Sequence, residues 1–159
     1  MKTAFFACCL MAALVTNSEG RIVKSAADLK RQILSDDLTP AVKTKLIPAS
    51  AKTAFAQLVG DSRFRMANPG ENYQLTDAGN WRGLPMRRLV FASVSEKYCV
   101  VHLEKGGRGH GYYVVVLKLD EGKAKFVWGA ISDHELKGLD DFGESITRNK
   151  LDDELPYSW

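Results

Sequence analysis

Residues 98–119 read YCVVHLEKGGRGHGYYVVVLKL, two runs of β-branched and aromatic residues on either side of a glycine-rich link. Branched and broad side chains pack well on a pleated backbone, and four glycines among the seven residues Lys105–Gly111 free the chain to reverse. The pattern predicts strands over Tyr98–Glu104 and Tyr112–Leu119, paired as a hairpin. Two more runs of the same character, Arg88–Val94 and Lys125–Ile131, flank them across short polar connections, so this half of the chain reads as an antiparallel meander.

Upstream the period changes. Ser25 and Asp28 have the form of a capping box, and Leu29 with Ile33 repeat at i and i+4, which predicts a helix over 26–35. Pro40, followed by Val42 and Leu46, suggests a second helix that Pro48 ends. Ala51, Ala54, Phe55, Leu58 and Val59 form the stripe of a third helix from Ser50, with Gly60 as its left-handed cap. Arg63–Ala67 and Tyr73–Thr76 flank Asn68-Pro69-Gly70-Glu71, where proline then glycine suit the centre of a type II turn, and read as a further hairpin. Residues 80–85, with Trp81, read as a loop. After Ile131, Ser132 and Glu135 are spaced as a capping box, and Leu136, Leu139, Phe142 and Ile146 anchor a short helix before a tail ending at Tyr157 and Trp159.

Helices followed by a run of antiparallel strands define the α+β class: N-terminal helices on one face of a mostly antiparallel, curved meander of four to six strands, then a short C-terminal helix. Residues 21–159 are long enough for one domain with a core of its own.

The first twenty residues carry a different message. Lys2 precedes an uncharged run from Ala4 to Val15, and Thr16-Asn17-Ser18-Glu19-Gly20 turn polar with small residues suited to signal peptidase. Twelve apolar residues span only about 18 Å as a helix, short of the roughly 30 Å hydrocarbon core, so this is read as a cleaved export signal and not a membrane span. A lipoprotein beginning at Cys8 competes, but only Ala4–Ala7 would then remain as the apolar segment. Once Cys8 and Cys9 leave with the signal, Cys99 is the one thiol and no intrachain disulfide can form. With no N-x-Ser/Thr acceptor in residues 21–159, this favours a bacterial periplasm or exterior over a eukaryotic secretory route.

Charge is split along the chain. Residues 21–132 hold 18 lysines and arginines against 10 aspartates and glutamates, net +8, whereas residues 133–159 hold 3 against 8, net −5. A basic body outside the cytoplasm suits an anionic envelope component or an acidic protein, unless the tail simply neutralises it; nucleic acid is disfavoured by location.

Chemistry-bearing residues concentrate around the glycine link. Lys105, Arg108 and His110 add positive charge to a loop whose amides could form an anion-binding nest, although a glycine-rich hairpin needs no ligand to explain it. No GK[ST] follows, which excludes a phosphate-binding P-loop. Alternation sends one of Tyr112 and Tyr113 to the core and displays the other beside Arg108 and His110. It also puts Cys99 with Val101 and Leu103 on a core face and His102 on the opposite face with Tyr98, Val100 and Glu104, so Cys99 and His102 form no catalytic pair. His134 beside Asp133 and Glu135 reads as a solvated helix start, and no HxH, HxxxH or CxxC spacing offers a metal site. No cofactor motif is present. Lys105, Arg108, His110, Tyr112 and His102 are therefore the candidate binding residues of an exported binding protein that uses this loop and an uncovered sheet face. An inhibitor or immunity protein against an envelope-targeting enzyme is one form of that reading. A small hydrolase with His110 as acid or base and Arg108 holding an anionic substrate is the alternative.

Overall fold

The computed structural model describes residues 26–77, 83–153 and 155. Residues 1–20, read above as an export signal, and Ser25, Trp81, Tyr157 and Trp159 lie outside them. Five strands, β1 (Thr39–Ala41), β2 (Arg87–Val94), β3 (Tyr98–Lys105), β4 (Gly111–Asp120) and β5 (Lys123–Ser132), form one sheet in chain order with every neighbouring pair antiparallel. Helices α1 (Ala26–Leu34), α2 (Ala49–Leu58) and α3 (Leu139–Thr147) complete an α+β architecture, and no described helix is long and apolar enough to cross a membrane. The four long strands run at most two residues beyond their expected ends.

Local chemistry accounts for the reversals. Glu121 (φ 41°) and Gly122 (φ 78°) link β4 to β5 with the two positive dihedrals of a type I′ turn, whose twist matches that of the strands. Between β2 and β3, the Ser95 hydroxyl accepts the Lys97 and Tyr98 amides at 3.1 and 2.9 Å. Helix α2 ends in a Schellman motif, with Gly60 at φ 72° and the Asp61 amide bonded to the Ala56 carbonyl at 2.9 Å.

Four expectations are corrected. The second helix is absent: Thr39–Ala41 pairs with β2 as a short edge strand, and only a 3-10 turn, Thr44–Leu46, follows. Its supposed apolar face has nothing to bury against, for Val42 and Leu46 are 62% and 51% exposed, and Asn68 Oδ1 holds the segment by accepting from the Thr44 amide and hydroxyl. Residues 63–76 form no hairpin, although the Asn68–Glu71 turn closes with Gly70 at φ 78°. Their backbone instead bonds to the start of β2, where Ala67 bridges Arg88 in parallel, and Gln74 bonds to the Pro85 carbonyl. The last helix starts at Leu139 and not at Ser132, because Ser132 Oγ turns to the His134 carbonyl and Asp141 accepts the Lys137 amide.

The fourth correction bears on function, since neither face of the sheet is left open. Ala51, Ala54 and Phe55 of α2 pack with Leu89, Cys99, Val101, Leu103, Tyr113, Val115 and Leu117 on one side. Ile33 of α1 and Phe142 and Ile146 of α3 pack with Tyr98, Val100, Val114, Val116 and Trp128 on the other. Val114–Leu117 is apolar at every position, and a strand without alternation needs cover on both faces.

Candidate functional site

At the end of the sheet where β3 turns into β4, the α1/α3 face ceases to be apolar. Alternation carries Tyr98, Val100 and His102 along that face and ends it on Glu104, whose side chain is only 5% exposed. A buried carboxylate requires partners, and several surround it. Arg88, its register partner on β2, donates through Nη2 to Oε2, and His110 Nε2 lies 2.6 Å from Oε1. The Tyr73 hydroxyl faces the same carboxylate from the 63–76 segment, and the Arg88 guanidinium sits 4.7 Å from the Tyr73 ring centroid. Burial acts to raise the Glu104 carboxyl, but the Tyr73, His110 and Arg88 contacts outweigh it and hold the group below the ordinary carboxylate range. Tyr73 responds in the opposite sense, its phenol raised first by burial and then by the neighbouring carboxylate.

The hairpin register brings the rest. Glu104 pairs with Tyr112, so the residue that alternation displays stands against the hub, with its ring edge-on to His110 at 5.9 Å. Tyr113 points to the α2 side, is buried, and its hydroxyl donates to the Gly109 carbonyl at 3.3 Å. One tyrosine is thus at the site and the other anchors the loop from beneath, as alternation requires.

The glycine link is shaped mainly by packing. A Cβ on Gly106 would collide with the Gln74 carbonyl, and the Gly106 and Gly107 amides bond to the Met86 and Leu75 carbonyls at 2.9 and 3.0 Å. Those two amides do not contribute to an anion nest. Lys105 turns to the α2 side opposite Arg87 in the register, where burial, then Arg87, lowers its ammonium. Arg108 stands on the rim, 98% exposed and 3.4 Å from Asp77. Leu75 and Met86 are exposed beside it, with the Met86 methyl against Gly107.

His102 lies beneath the surface, its ring fully buried. Its Nδ1–H donates to the Tyr113 carbonyl at 3.1 Å, and Nε2 accepts the Leu136 amide at 3.0 Å, an arrangement that requires the neutral ring. Burial pushes it down to about 4, with the Tyr113 bond opposing. It stacks under Tyr112 at 5.9 Å and so supports the site from below. Cys99 is also buried, its thiol pushed up to about 12 by burial alone, as an inert core position would be. Asp133 binds the exposed His134, and among the described residues no three His, Cys, Asp or Glu side chains converge to hold a metal ion.

No family model matches the chain. No curated protein and no solved structure matches it either. Of the five candidates, His110 and Tyr112 gather at Glu104, His102 lies beneath them, Arg108 is on the rim, and Lys105 faces away. Glu104, Arg88 and Tyr73 were not among the five. A signal for Glu104 was nonetheless present: a single carboxylate at the end of an apolar strand, on the His102 face and opposite Tyr112 in a hairpin centred on Arg108. Tyr73 had none, since it arrives from a segment with neither helical nor strand structure.

Proposed function

We propose that the chain is an exported binding protein and that the Glu104 end of the sheet is its contact surface for an envelope component or another exported protein. One observation carries this reading: a single buried carboxylate fixes Arg88 and His110, and Tyr112 stands against them in the register. Arginine and tyrosine dominate contact energetics where they are held rigidly, because little side-chain entropy is then lost on binding. The exposed Arg108, Leu75 and Met86 extend the patch with a charge and an apolar step. With both sheet faces covered, this end replaces the sheet face as the contact region. Export rests on the uncharged run Ala4–Val15, and the basic body favours an anionic partner.

Affinity capture from envelope extracts tests the reading. The unaltered protein should retain a partner that an Arg108→Ala, Tyr112→Ala double variant, shown to be folded by circular dichroism, loses at least tenfold. Equal capture by both would refute the assignment of the surface.

The 2.6 Å Glu104–His110 contact also favours a hydrolytic reading, in which the carboxylate orients an imidazole that is 43% exposed for proton transfer. Turnover of simple esters or phosphoesters that disappears in His110→Ala would support it, and turnover unaffected by that change would exclude it.

A further inference from the structure

We infer that His102 is an acid-released latch that holds residues 133–138, the connection between β5 and α3, against the sheet beside the contact surface. The geometry that points to it is an inverted pair of hydrogen bonds on one buried ring. Nδ1 carries the proton and donates across to the Tyr113 carbonyl, and Nε2 carries the lone pair that accepts the Leu136 amide. A second proton can go only to Nε2, where it would point at the Leu136 N–H, donor against donor, so protonation and this closed contact exclude one another.

The groups facing the ring come from every element around it. Phe91 of β2 and Tyr112 of β4 flank it at 5.3 and 5.9 Å. Glu104 of β3 and Asp141 of α3 favour the charged ring, and His134 of the held connection opposes it. Burial outweighs them and keeps the closed ring neutral to about 4. A ring released to water titrates near the ordinary histidine value of about 6.5, so the open state gains protons first as pH falls. Linkage then makes opening roughly 20-fold more favourable at pH 5 than at pH 7.

Release has a consequence for the site. The connection places Glu135 facing the Tyr112 hydroxyl, and His102 is the ring stacked beneath Tyr112. Opening would uncover one edge of Tyr112 and loosen its floor, which makes the contact surface acid-responsive; this last step rests on the function proposed above.

Amide hydrogen exchange on the full chain, corrected for the intrinsic pH dependence, tests the latch. Between pH 7 and pH 5 the Leu136 amide should accelerate about 20-fold, while Val101 and Val115 in the sheet centre change far less. His102→Gln, which has no proton to gain, should remove the acceleration. If that variant does not fold, the same comparison within the unaltered protein suffices. A Leu136 rate that is unchanged, or that rises only in step with Val101 and Val115, overturns the latch. A selective Leu136 acceleration with identical partner capture at both pH values keeps the latch and refutes its tie to the contact surface.

Discussion

At the scale of single residues, Glu104 governs the site. Its carboxylate is nearly out of contact with water, and a buried charge of this kind persists only while its partners remain in place. Glu104→Gln keeps the shape but removes the charge that Arg88 and His110 share, and should cost about 2 kcal/mol in urea unfolding. The pH dependence follows from the sign of the shift. A carboxyl held below its ordinary value of 4.5 contributes stability that is complete above that pH and declines as pH falls further. His102 acts in a higher window, from about 6.5 down to about 4, because the unfolded chain binds its proton first. The glutamine variant should therefore show a shallower loss of stability below pH 4.5 and an unchanged slope between 6.5 and 4.5; an unchanged slope below 4.5 would mean that Glu104 is not the coupled group.

Among the elements, what was legible followed from residues whose environment is local. The four long strands are visible in their valines and aromatics, and α2 in its stripe of alanines and Phe55, because each records the surface it packs against. The 39–47 segment misled because Pro40 serves a helix start and a blunt sheet edge equally well, and only tertiary pairing chooses between them. The 63–76 segment misled because its backbone is satisfied by the start of β2 and not by itself. Cover on both faces is written in the four consecutive apolar residues Val114–Leu117, which alternation for a one-sided sheet would have interrupted. Turn chemistry can be tested directly. Glu121 occupies a left-handed position at φ 41° ahead of Gly122, where asparagine is favoured. Glu121→Asn should raise stability by about 0.5 kcal/mol without altering the sheet, as measured by the urea midpoint at constant slope. A lower midpoint would show that the glutamate side chain has a role of its own.

For the molecule as a whole, the divided charge is partly reconciled within the fold. Asp153 of the acidic segment pairs with Lys30 of α1 at 2.8 Å, and α3 uses Phe142 and Ile146 to bring that segment onto the sheet. With helices on both faces, the proposed contact falls to the ends and edges of the sheet. One end holds the β4–β5 turn, where Glu121 and Gly122 reverse the chain. The other gathers a carboxylate hub, displayed aromatic and imidazole groups and a solvent-exposed arginine. Photo-crosslinking in the natural host separates these ends: a benzophenone side chain replaces Arg108 in one protein and Phe126, exposed on β5, in another. A discrete adduct from position 108 and none from position 126 is the predicted result, and an adduct from 126 alone would contradict the proposed contact surface.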